Sequence, residues 1–150
     1  MKFPNYIAPR RKNRILAFQY LYMQEFHKNL EFGPNFLYLI ECYDERPEEY
    51  TFARELIKGT LENLDTIDPL IEKFSQNWTF SRIAKVDLSI LRMAIYELLF
   101  RKDIPPIVSI NEAIDLTKAF SKDDSNRFIN GILDKVKEMI DRPLREASQE

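Results

Sequence analysis

Residues 81–100, SRIAKVDLSILRMAIYELLF, decide the fold. At 100° per residue Ile83, Val86, Ile90, Ala94 and Leu98 line one face of a helix, and Leu88, Ile95 and Leu99 cover most of another. Arg82, Lys85, Ser89, Arg92 and Tyr96 share one narrow polar stripe. A helix with this pattern is central, packed on most sides, with one basic strip left near water. Asp87 and Glu97 project into its apolar surface, where a bare carboxylate is costly.

Working towards the C-terminus, Pro105-Pro106 ends this helix. Ser109-Ile-Asn-Glu112 has the spacing of a capping box and predicts a helix from there to about residue 121. The last helix starts near Ser125, with Phe128, Ile129, Ile132, Leu133, Val136, Met139 and Ile140 on one stripe. Gly131 lies off that stripe, where a missing side chain would allow close approach of a neighbour. The tail, 141–150, is polar and expected to fray. Working towards the N-terminus, Asp68-Pro69 reads as an N-cap followed by proline at the first helical position, opening a short helix to about residue 75. An apolar face predicts a helix over about 48–64, and 36–43 a shorter one. Gly33-Pro34 breaks a helix that runs from Arg10 to about residue 28. Residues 1–9, with Pro4 and Pro9, form an extended arm. No useful stretch alternates with a strand's period and no internal repeat occurs. The expectation is an all-α bundle of about six or seven helices.

Composition agrees. The 150 residues suffice for one domain with a buried core, and 45% apolar with 31% charged residues is globular, not disordered. Three glycines leave few sites for the tight turns of hairpin-rich folds. A lone Cys42 cannot form an internal disulfide, no apolar run is long enough to span a bilayer, and no secretory signal is evident. The expectation is a cytoplasmic protein with no membrane association. The net charge of −2 conceals an asymmetry: residues 1–24 hold Lys2, Arg10, Arg11, Lys12 and Arg14 and no acid, so the remainder carries −7. A basic patch on an acidic body suggests a local polyanion site.

Catalytic chemistry finds little support. His27 is the sole histidine and has no cysteine cluster to complete a metal site, so no metal or cofactor is expected. No phosphate loop, nucleophile elbow or CxxC occurs. Cys42 reads as a small apolar residue. Asp87 and Glu97 are ten residues apart, about 15 Å along a helix, too far to act jointly on one bond. Structural pairing with an arginine or a helix terminus explains them first, and a partner-protein contact second.

The positive signal is Arg10-Arg11-Lys12-Asn13-Arg14, four cations at the first turn of a helix. They oppose its dipole and repel one another, and an RNA or DNA phosphate would relieve both penalties. A solvated charge run accounts for the pattern equally well. Tyr20, Tyr22, Tyr96 and Phe128 could stack on unpaired bases, although aromatics at helical spacing are most often core. Phe128 stands out at the edge of its stripe.

Together these segments resemble the NusB family. The resemblance runs through Arg10-Arg-Lys-Asn-Arg14, Ala17, Gln19 and Leu21-Tyr22. It continues in Ile90-Leu-Arg-Met-Ala-Ile-Tyr-Glu-Leu98, Ile104-Pro105, Val108-Ser-Ile-Asn-Glu-Ala-Ile114 and Phe128-Ile-Asn-Gly-Ile-Leu-Asp-Lys135. It spans residues 10–140 in one register, loosely over 33–77. It implies two helical subdomains and a non-enzymatic role in transcription antitermination, chiefly of ribosomal RNA operons. The implied partners are single-stranded boxA-type RNA, NusE (also a small-subunit ribosomal protein) and the RNA polymerase antitermination complex. By likeness, Arg10, Arg11, Lys12, Arg14, Arg92, Asp124 and Phe128 belong to the RNA surface, and Tyr22 and Asp87 to the NusE contact. Asn13, which interrupts the basic run, departs from the pattern, as does the long arm before Arg10. Two alternatives stand beside this reading: a protein-binding helical module, and the detached RNA-binding domain of an RNA cytosine methyltransferase. A Rossmann-like region, which the methyltransferase alternative requires, is not expected within these 150 residues. Four phosphate contacts would give RNA binding a log–log salt slope of roughly −3.

Overall fold

The computed structural model describes residues 1–76 and 79–148. Among them are seven α-helices and no strand: α1 Pro9–Phe26, α2 Phe32–Cys42, α3 Thr51–Glu62, α4 Leu64–Phe74, α5 Lys85–Phe100, α6 Pro106–Phe120 and α7 Ser125–Met139. Two compact helical units divide the chain at residues 58 and 59.

In the first unit α1 opens on Pro9, whose missing N–H would have had no helical partner anyway. Leu16, Ala17 and Tyr20 are fully buried, and the Tyr20 ring meets Phe32 and Phe36 of α2 edge-on, with centroids 5.3 and 6.0 Å away. Gly33-Pro34 does not lie between helices as expected. Both residues sit in the first turn of α2, where a proline removes no intrahelical hydrogen bond. α2 ends without glycine: Asp44 takes a left-handed φ of 56°. Its N–H bonds Glu41 O at 2.9 Å and the Glu45 N–H bonds Ile40 O at 3.3 Å, the two bonds of a Schellman ending. The N-terminal arm lies against this end of α2. The Met1 amine donates to Cys42 O at 2.8 Å and Phe3 stacks on Tyr43 at 4.4 Å.

Asn13 explains its own place in the basic run. It is buried, its amide donates to Pro9 O at 2.8 Å and Glu49 O at 3.1 Å, and its Oδ1 accepts from Ala53 N at 2.9 Å. Ala53 is in the first turn of α3, so a side chain of α1 satisfies a backbone donor that α3 cannot.

In the second unit α5 packs against α4, α6 and α7, as its two apolar faces require. Its buried acids accept hydrogen bonds from serines. Asp87, in the first turn of α5, accepts from Ser121 Oγ and, at 2.8 Å, from Ser125 Oγ at the α6–α7 junction. Glu97 accepts from Ser109 Oγ at 2.8 Å. Ser109 is therefore no N-cap: α6 already begins at Pro106, which needs no donor partner at the first position. Asp68-Pro69 likewise lies inside α4, which starts at Leu64. Pro69 is exposed, so water can reach the carbonyl its missing N–H leaves behind.

The glycines exchange roles. A Cβ at Gly131 would meet nothing within 4 Å, whereas one at Gly59 would fall 2.0 Å from Tyr96 Cζ, so the close approach is at Gly59. Within the tail expected to fray, whose residues 149–150 lie outside the described residues, Arg142 donates to Leu98 O at 3.0 Å and Ile104 O at 2.9 Å, satisfying carbonyls at and beyond the end of α5. Ser148 N bonds Lys102 O at 2.6 Å.

Candidate nucleic-acid interface

The four cations of the first unit have four different surroundings. Arg10 is exposed and its guanidinium lies over the Phe52 ring, 3.8 Å from the centroid. Arg11 is exposed on the same first turns of α1. Lys12 is half-buried, its Nζ 3.4 Å from Glu45 Oε1 and 5.8 Å from the centre of the Phe3 ring. The same Glu45 oxygen accepts from Tyr50 Oη at 2.6 Å. Burial, helped by that bond, pushes the Tyr50 phenol well above its ordinary pKa, so it remains a donor and keeps Glu45 in place. Arg14 is 4% exposed, with its guanidinium 5.2 Å from the centre of the Phe52 ring. The exposed part of the basic start is thus Arg10 and Arg11. Further along α1, half-buried Tyr22 presses edge-on against Phe26 at 5.0 Å, and Phe26 is 57% exposed.

In the second unit Arg92 is not on an open strip. Its side chain is 11% exposed and forks onto Asp68, Nε to Oδ1 and Nη2 to Oδ2, both at 2.8 Å. The apposed planar forks fix both side chains. Ser89 is buried too, its hydroxyl turned back onto Lys85 O at 2.8 Å. The polar stripe of α5 reaches open solvent only at Lys85, with Arg82 exposed just before the helix. Tyr20 is core, and Tyr96 stacks on Phe100 at 5.6 Å.

Asp87, Asp124 and Phe128 line one cavity of about 420 Å³, with Arg82, Lys122 and Arg127 also on its wall. Asp124 is the N-cap residue of α7, but its side chain makes no capping hydrogen bond and the residue is exposed. Phe128, one turn into α7, is half-buried. An aromatic face beside three cations can take a base and its phosphate together.

The sequence profile of the NusB family matches residues 11–138. The chain belongs to the NusB family. It is 45% identical over 138 residues to the transcription antitermination protein NusB of Oleidesulfovibrio alaskensis, covering 85% of this chain and 86% of that protein. With NusB of Geobacter sulfurreducens it shares 48% over 131 residues, covering 87% and 94%. Among solved structures, T. maritima NusB superposes with a TM-score of 0.78 at 35% identity, over 99% of this chain and 96% of that one. A chain from the crystal structure of the antitermination factors NusB and NusE in complex with dsRNA gives 0.78 at 25% identity, over 88% and 98%.

Of the residues assigned by likeness to NusB, Asp124, Phe128 and Asp87 share the cavity, whereas Arg92 is committed to Asp68 and Arg14 is buried beside Phe52. Sequence reasoning missed Arg82, Lys122 and Arg127 as one cationic rim. Arg82 was legible on the basic strip of 81–100, and Lys122 and Arg127 flank Asp124 and Phe128, but nothing in the spacing brings the three together. It also missed Phe52 and Glu45, which are remote in sequence from the cations they touch.

Proposed function

We propose that the protein is a non-enzymatic, cytoplasmic adaptor that binds single-stranded boxA-type RNA together with NusE. In this reading it supports antitermination by RNA polymerase, chiefly on ribosomal RNA operons. The observation that carries the reading is the cavity joining Phe128 and Asp124 to three cations, in a chain whose relatives are antitermination proteins. Arg10 and Arg11 supply phosphate contacts from α1, while Lys12, paired to Glu45, and Arg14, buried beside Phe52, complete the basic start behind them. Arg92 contributes by holding Asp68 and the α4–α5 pair. Tyr22, with exposed Phe26 beside it, and Asp87 belong to the NusE contact. Asp87 and Glu97 each have serine partners, which favours structural roles over acid–base catalysis.

The test is RNA binding by anisotropy across salt, with single-stranded boxA-type and duplex oligonucleotides side by side. Two exposed guanidinium groups set the contribution of the basic start at about −1.4, half that of four contacts. Arg10→Ala with Arg11→Ala should flatten the slope by about that amount on the single strand. An unchanged slope removes the basic start from the site, and preference for the duplex overturns the single-strand assignment.

A further inference from the structure

Arg10 and Arg14 are four residues apart on α1, where like charges destabilise a helix. They also lie in its first two turns, where the dipole opposes them. Both guanidinium groups nevertheless converge on one ring, that of Phe52 on α3, at 3.8 and 5.2 Å from its centroid. The negative face of an aromatic ring attracts each of them and offsets their mutual repulsion. At 3.8 Å Arg10 is in contact with that face. A guanidinium stacked by its flat side keeps its five N–H donors in plane at its edge, which is the part that forks onto phosphate. Contact of this kind limits the rotamers of an exposed Arg10 while its donors can still face solvent at the guanidinium edge.

We propose that Phe52 is a positioning residue for RNA: its ring pre-orients the Arg10 guanidinium, with Arg14 beneath, for a phosphate of the bound strand. This rests on the reading of the basic start as an RNA contact. The ring adds no charge, so its loss should weaken binding without changing how many phosphates are neutralised. Removing Arg10 itself should do both.

The experiment measures affinity of a labelled single-stranded boxA-type oligonucleotide across salt for Phe52→Leu, Phe52→Trp, Arg10→Ala and the Phe52→Leu/Arg10→Ala pair, with helicity checked by circular dichroism. Phe52→Leu should weaken binding roughly two- to fivefold, the range expected for one exposed cation–π contact, with the slope of wild type. Phe52→Trp should bind at least as well as wild type. Arg10→Ala should weaken binding and flatten the slope by about 0.7. In the Arg10→Ala background, Phe52→Leu should have little further effect, because its action runs through Arg10. A general packing role would instead add in full. Wild-type binding by Phe52→Leu, or equal weakening by Leu and Trp, overturns the inference while leaving Arg10 in the site. If Phe52→Leu fails to fold, Phe52→Trp decides alone: weaker binding by the folded variant overturns it. Wild-type binding and slope in Arg10→Ala would sink the basic start itself.

Discussion

A methyl group added at Gly59 would overlap the Tyr96 ring, 2.0 Å from Cζ and 2.3 Å from Cε1. Helix propensity alone would favour alanine there by about 1 kcal/mol. The clash outweighs it, because at these distances the ring must shift, and it is already stacked on Phe100. Gly59→Ala should therefore lower stability by about 1–3 kcal/mol, the usual range for overpacking. Gly131→Ala, exposed within α7 and facing open space, should raise it by about 0.5–1 kcal/mol. Urea denaturation of both variants checks the pair, and the same sign for both would refute the steric account. The sequence alone points to the wrong glycine, since the residue that fills the gap at Gly59 comes from a helix 37 positions later.

Periodicity was enough to read the helices, because each buries a stripe set by its own residues. Among the described residues seven emerge, against an expectation of about six or seven, and the 81–100 stretch does form the packed centre of its unit. Boundaries were legible only where one signal acted alone. At Ser109 and at Asp68, a good cap competed with an earlier start, and the earlier start won: Pro106 for α6, Leu64 for α4. Each displaced residue then had its side chain free for a tertiary bond, Ser109 to Glu97 and Asp68 to Arg92. Such partners cannot be read from spacing, which is why Arg92 looked open. The Asp87 clasp carries a prediction of the same kind. Its two carboxylate oxygens take one serine hydroxyl each, joining the start of α5 to the α6–α7 junction. Asp87→Asn keeps one acceptor and puts a donor where the other was. It should cost about 1–3 kcal/mol in thermal unfolding of the protein alone. A residue serving only a partner contact would leave the melting temperature unchanged and weaken partner binding instead.

At the scale of the whole molecule, a net charge of −2 limits attraction for polyanions to local cationic patches, the +5 start of the chain and the rim of Arg82, Lys122 and Arg127. Each patch is small, and at the basic start one lysine is already paired to Glu45, so either alone gives modest affinity at physiological salt. Specific binding then needs a second source of free energy, and a protein partner that also touches RNA can supply it. If NusE and RNA bind the same protein cooperatively, linkage requires that each raise the affinity for the other by one and the same factor. Couplings of this kind are commonly about 5–150-fold. Titrating RNA with and without saturating NusE, then NusE with and without saturating RNA, gives two independent values of that factor. They should agree and exceed about fivefold, and Tyr22→Ala should reduce NusE binding while leaving RNA binding by the protein alone unchanged. A factor of one in both titrations would mean two independent surfaces, and a helical module that carries partners without coupling them.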